Sequence, residues 1–167
     1  MSQFVLDTDA IVIGTLMTLT PGTARHGLDR LAPEDFPSWP ARHAFTLLRD
    51  MTAAGVPSLD PATLVGHAQR TAAVAAHQWP GLTRFLSAAV SVNVPACALD
   101  FHIDLLLEAT YRRRIHAAAT RLAQLADTAT LSDLDHHLAV EAADLDHHRA
   151  RITTGLRPVT HHPERAA

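Results

Sequence analysis

The feature that most constrains this chain is a seven-residue repeat of large aliphatic side chains near its C-terminal end. Leu131, Leu138, Leu145 and Ile152 stand seven apart, with Leu134 and Ala142 beside them. Upstream, Tyr111, Ile115, Ala118, Leu122 and Leu125 follow at spacings of four, three, four and three. Each pattern keeps an apolar stripe on one side of a helix. Only Ala126-Asp127-Thr128-Ala129-Thr130 separates the two patterns. Thr130 with Asp133 three residues on has the form of a capping box, with Asp in place of the usual Glu. A connection this short makes the helices antiparallel neighbours. The spacing therefore predicts a helical hairpin over residues 95–153. A heptad stripe reaching beyond a compact body has to bury its exposed side, and a second copy of the chain is the simplest partner. The candidate interface is Tyr111, Ile115, Leu122, Leu125, Leu131, Leu138, Leu145 and Ile152, with Arg112 and Arg113 alongside.

Upstream of the hairpin the same reading gives about five shorter helices. Asp7-Thr8-Asp9 offers N-cap residues before an apolar helix over Ala10 to Met17, which Thr20-Pro21-Gly22 ends. A second helix follows over Thr23 to Leu31. The segment from Ala32 to Pro40 holds three prolines, and Phe36 and Trp39 are expected to pin it to the core. A third helix over Pro40 to Ala54 buries Ala41, Ala44, Phe45, Leu48 and Met51, with Gly55 as its C′ residue. Asp60 and Pro61 read as N-cap and first residue of a fourth. Residues Thr71 to Gly81 fit no single pattern. A fifth helix over Leu82 to Val90 turns Leu82, Phe85, Leu86 and Ala89 inward. The expected architecture is all-α: a helical body over 1–94, the hairpin of the same domain over 95–153, and a polar tail over 154–167. Hydrophobic content of 47% with only 5% aromatics suits such packing by Leu, Ala, Ile and Val.

Several functions are disfavoured at once. All fourteen basic residues are arginine, and without lysine there is no Walker A loop to hold phosphates. No Gly-x-Ser-x-Gly elbow is present, so hydrolase chemistry has no support. The formal net charge of -3 argues against direct nucleic-acid binding. Cys97 is the single cysteine. It cannot form an intrachain disulfide, it fits a reducing compartment, and beside Pro95 it reads as a small core residue. The N-terminal residues lack a basic region of the secretory kind, and the apolar run Ala10 to Leu19 is too short to span a bilayer. The expected location is cytoplasmic.

The twelve histidines carry the competing reading. Asp133-Leu134-Asp135-His136-His137 recurs as Asp144-Leu145-Asp146-His147-His148, eleven residues on. Eleven residues is close to three helical turns, so both sets share a face, but about 16 Å of rise separates them. One metal ion cannot reach both, and a site would draw on the facing helix: His116, His137, Glu141 and Asp144. The plainer alternative pairs Asp133 with His137 and Asp144 with His148 as exposed i,i+4 contacts. Glu141 and His148 also fall near the second apolar position of the heptad, where a polar residue can fix register or partner choice.

The order of segments resembles the N-terminal domain of the DnaB-family replicative helicases. That family opens with a helix of the type Glu-x-x-Val-Leu-Gly-x-Leu, for which Ala10-Ile11-Val12-Ile13-Gly14-Thr15-Leu16-Met17 stands here, with the usual Glu replaced. It continues with Leu-x-Pro-Glu-Asp-Phe and a helix starting near His and Phe. Leu31-Ala32-Pro33-Glu34-Asp35-Phe36 and Arg42-His43-Ala44-Phe45 stand there. A Gly-x-Pro-x-Asp linker follows in Gly55 to Asp60, and a long helix with a basic cluster in Arg112-Arg113-Arg114-Ile115. The resemblance spans roughly Asp9 to Arg149 and is most specific from Pro33 to Leu48. It implies a helical globule with a hairpin that pairs between subunits. It also implies a docking surface for primase, no catalysis and no cofactor. The family's motor domain is not in this sequence.

Overall fold

The computed structural model describes residues 7–92 and 94–155. Among the described residues the fold is all-α, with no strand. The α-helices are α1 (Thr8–Thr18), α2 (Pro21–Arg30), α3 (Trp39–Ala53), α4 (Pro61–Arg70), α5 (Trp79–Ser91), α6 (Leu99–Ala126) and α7 (Leu131–Gly155). One-turn 3₁₀ segments at Pro33–Asp35, Ala76–Gln78 and Ala96–Ala98 join them. The chain divides into two compact units, Met1–Arg113 and Arg114–Ala167, so the division falls within α6. The expected tail lies almost wholly outside the described residues.

The first unit is built around α1. Every residue from Asp9 to Met17 is buried, because this helix is apolar on all faces and is packed against by both α5 and α3. Its crossing with α5 is very close. A Cβ added to Gly14 would lie 2.1 Å from the Ala89 carbonyl oxygen, so only glycine lets the two backbones meet there. Gly27 of α2 plays a lesser part: a Cβ there would meet Ile103, Leu99 and Leu16 side chains at 3.2–3.3 Å. Arg30 of α2 pairs with Asp100 at 3.0 Å and with Asp104 of α6. The start of α6 thus belongs to this unit, with Leu99, Ile103, Leu106, Leu107 and Thr110 all buried.

Local chemistry sets the boundaries. Asp7, Thr20 and Ser38 cap α1, α2 and α3, accepting from the Asp9, Thr23 and Ala41 amides. Asp60 caps α4, accepting from Ala62 and Thr63 at 3.0 Å each. Its carboxyl is held down to about 2 by those bonds and by the Thr63 and Ser58 hydroxyls, the Thr63 hydroxyl contributing most. At the end of α3, Gly55 takes φ +69°. The Val56 amide donates to Met51 and the Gly55 amide to Thr52, the Schellman arrangement that glycine permits. Two boundaries differ from expectation. Thr20-Pro21 ends α1 and also starts α2, two residues earlier than the spacing suggested. Pro80 stands in the first turn of α5, which begins at Trp79; a proline there has no amide to waste, so it opens the helix.

Three core expectations also need correcting. Trp39 is 37% exposed and stacks on His43 with centroids 5.2 Å apart, while Phe36 and Phe45 do sit fully buried, 4.9 Å apart. Phe85 is half-buried. Cys97 is exposed, because it lies on the short turn before α6 whose apolar side is supplied by Leu99 and Ile103.

Candidate interaction surface

The segment Pro33 to Phe36 is fixed by one buried aspartate. Asp35 is fully buried. Its carboxylate accepts from the Ala32 amide at 2.7 Å, closing the turn. Its carbonyl oxygen accepts from the Thr110 hydroxyl at 3.1 Å and from the Arg113 guanidinium at 2.6 Å. Arg113 also donates to the Thr110 hydroxyl at 2.9 Å. Of the arginine run, Arg113 is therefore tied down within the first unit. Arg112 is exposed, with Glu108 at 3.9 Å. Near this junction Asp9 is buried, and its carboxyl is raised to about 6 by that burial first and by Asp7 second, against the opposing pull of Arg113.

The second unit is the helical hairpin. Its turn holds four residues, 127–130. The Thr128 and Ala129 amides donate to the Leu125 carbonyl. The Asp133 amide donates to the Thr130 hydroxyl at 3.2 Å, and that hydroxyl donates to the Asp133 carboxylate at 2.7 Å. Asp133 thus serves the cap. The helices run antiparallel, as two ion pairs fix. Arg121 of α6 grips both oxygens of Glu141 at 2.6 and 2.7 Å, and Arg114 grips both oxygens of Asp144 at 3.0 and 2.8 Å. The fork of Arg121 holds the Glu141 carboxyl below the usual carboxylate range. His148 is buried, 4.0 Å from Asp144, with its Nδ1 3.2 Å from Arg151.

These pairs decide the metal reading. Glu141 and Asp144 are both engaged by arginines, and among the described residues no three His, Cys, Asp or Glu side chains come together as a metal site would need. The proposed set of His116, His137, Glu141 and Asp144 gains no support. Glu141 and His148 do lie on the interhelical side, where Glu141 pins the register of α6 against α7.

The apolar positions divide in a way the heptad alone did not tell. On α6, Tyr111, Leu122 and Leu125 are half-buried and Ala118 buried, but Ile115 is 41% exposed. On α7, Leu134, Leu145 and Ile152 are half-buried, whereas Leu131 and Leu138 are 76% and 56% exposed. At 100° per residue, Leu131, Leu138 and Ala142 share one shoulder of α7, and Asp144 occupies the other. On α6, Ile115 and Ala119 lie on one side of buried Ala118, and Arg114 and Arg121 on the other. Because the helices are antiparallel, the two apolar shoulders fall on the same flank of the hairpin, and the arginines face the carboxylates on the opposite flank. Sequence reasoning missed Arg114 and Arg121 as register pairs. Their signal was present: across a turn centred near residue 129, both face a carboxylate in antiparallel register. Val140, 52% exposed, was also missed, since it stands off the heptad stripe.

Fold and surface together define an all-α domain that ends in an antiparallel helical hairpin. Among solved structures it matches the crystal structure of the N-terminal domain of DnaB helicase from Mycobacterium tuberculosis. The TM-score is 0.69 at 19% identity, over 83% of this chain and 94% of that one. At that identity the likeness is one of fold. No protein-family model matches the chain, and no curated protein matches it either.

Proposed function

We propose that this chain is a non-catalytic protein–protein interaction module of the replicative-helicase class. It self-associates through the apolar flank of its hairpin and docks primase, a replicative helicase, or both, in the cytoplasm. One observation carries the reading: a single hairpin, in a domain of the DnaB N-terminal fold, has its ion pairs on one flank and Ile115, Leu131 and Leu138 exposed on the other. Aliphatic side chains exposed together on one flank favour burial against a like surface, at roughly 25 cal/mol per Å². A two-fold arrangement buries the same residues from both copies. Leu122, Leu125, Leu145 and Ile152 support that flank from the half-buried seam.

The test is solution mass by sedimentation on the purified chain, with Leu131→Glu/Leu138→Glu as the variant. A dimer or larger species that the variant converts to a folded monomer supports the reading. A wild-type monomer at high concentration sinks self-association. Docking is tested separately, by pull-down against purified primase and helicase from the source organism. Failure to retain either removes the replication role.

A further inference from the structure

Pairing through the hairpin makes no use of the first unit, where α2 and α3 leave an open cleft of about 260 Å³ between them. Its walls are two matching triads, Arg25, Leu28 and Asp29 on α2 and Arg49, Thr52 and Ala53 on α3. Each triad has the spacing i, i+3, i+4, which sets three side chains on one face of a helix. Leu28 is buried and supplies apolar surface, as does Ala53. The Thr52 hydroxyl donates back to the Leu48 carbonyl at 2.8 Å, so it adds no free donor to the cleft. Arg25, Asp29 and Arg49 are exposed. The Arg49 guanidinium carbon stands 5.8 Å from the centroid of the buried Phe45 ring, a cation–π contact that holds this side chain against α3. Arg30, Arg113, Arg114 and Arg121 are each engaged by a carboxylate or a carbonyl oxygen. Among the described residues neither Arg25 nor Arg49 has an ion-pair or hydrogen-bond partner, although Asp29 lies one helical turn beyond Arg25.

We propose that this cleft docks an acidic residue with an aliphatic neighbour, presented on an exposed segment of a partner protein. Arg25 and Arg49 take the carboxylate from opposite walls, and Leu28 and Ala53 receive the aliphatic side chain. A guanidinium fork matches a carboxylate geometrically, and such charge-assisted bonds are the strong ones. Size and charge select the ligand. Small-molecule sites typically enclose about 300–1,000 Å³, so this cleft accommodates one or two side chains and is too small for a nucleotide. Two arginines against Asp29 leave one net positive charge, which suits a single carboxylate. A phosphate, at about -1.5 to -2, is opposed by Asp29. The cleft is open, so a free small acid would stay largely in water; a residue held within a longer chain gains further contacts outside it. This inference rests on the reading of the domain as a protein-interaction module and gives one of its contacts a chemistry; hairpin pairing is not required for it.

The experiment is an amide NMR titration of the full chain in ~50 mM salt. The probes are the capped dipeptide acetyl-Glu-Leu-amide, its neutral counterpart acetyl-Gln-Leu-amide, and inorganic phosphate. Arg25→Gln/Arg49→Gln is titrated alongside, with Arg84→Gln, an exposed arginine of α5, as control. The expected result is a saturable shift of α2 and α3 amides around the cleft with the Glu peptide. The Gln peptide and the double variant should each bind roughly tenfold weaker or less tightly still, and Arg84→Gln should match wild type. Both replaced arginines are exposed, so the amide spectrum of the rest of the chain should be unchanged. No saturable shift at the cleft, equal binding of the two peptides, or wild-type affinity in the double variant overturns the proposal. Phosphate binding as tightly as the Glu peptide at the same amides overturns it too, since the cleft is then a general anion site. If the Glu peptide binds but neither purified primase nor helicase is retained, the replication role fails and the cleft stands; if a partner is retained and the peptide does not bind, the cleft proposal alone fails.

Discussion

Gly14→Ala tests the packing on which the first unit depends. The added Cβ would lie 2.1 Å from the Ala89 carbonyl oxygen and 2.9 Å from its carbonyl carbon, where about 3.5 Å is comfortable. The obstacle is backbone, so no rotamer change relieves it, and α1 and α5 must part by roughly 1 Å. Val12, Ile13 and Leu16 on one helix and Leu82, Leu86 and Ala89 on the other are all buried. A gap of that size forfeits a quarter to a half of each atom pair's dispersion energy. Overpacking costs about 1–3 kcal/mol or more, against about 1 kcal/mol gained from helix propensity. With lost contacts added, a net loss of about 2–4 kcal/mol is expected, a large share of a typical domain's total stability. Gly66→Ala is the control. It makes the same change inside α4, where a Cβ meets nothing within 4 Å, and a gain of about 0.5–1 kcal/mol is expected. Urea unfolding followed by helical circular dichroism reads both. Gly14→Ala within about 0.5 kcal/mol of wild type would show that the backbones do not meet at that point, and the account of α1 would fail.

Asp9→Asn should stabilise the protein by about 1–2 kcal/mol at pH 7.5, after allowing for solvent screening. The wild-type carboxyl titrates at about 6 when folded against 3.8 otherwise, so its favourable contribution is complete below pH 4 and lost as the pH rises through 6. The advantage of the Asn variant should therefore vanish toward pH 4, as urea midpoints across that range will report. Arg113→Met should cost about 1–3 kcal/mol, because the buried Asp35 carbonyl loses a charged donor, while Arg112→Met should be near neutral; thermal unfolding of the two separates a structural arginine from a surface one. Asp60→Ala should cost about 1 kcal/mol by removing the α4 cap, checked by urea unfolding at neutral pH.

Much of the fold was legible from spacing and caps. The 3.6-residue periodicity of α3, the Asp60-Pro61 start, the Gly55 stop and the short turn before α7 are local signals, readable because their chemistry acts within a few residues. The all-α class follows from them. The sequence alone also carried the order of segments that resembles the DnaB N-terminal domain, whose fold the structure shares at a TM-score of 0.69, and in it Asp35 and Gly14 now have physical roles.

Only the tertiary structure decided which heptad positions are covered. Leu131 and Leu145 look alike in sequence, yet one is exposed and the other half-buried, because coverage depends on where α6 lies against each turn of α7. The same holds for charge. Glu141 and Asp144 were equally good metal ligands and ion-pair partners until Arg121 and Arg114, twenty and thirty residues away in the chain, were seen to grip them. Arg113 turned from a surface candidate into an anchor for the Asp35 carbonyl, a partner 78 residues distant. Local pattern fixes which residues share a face of a helix; only the packing of one helix on another settles what that face meets.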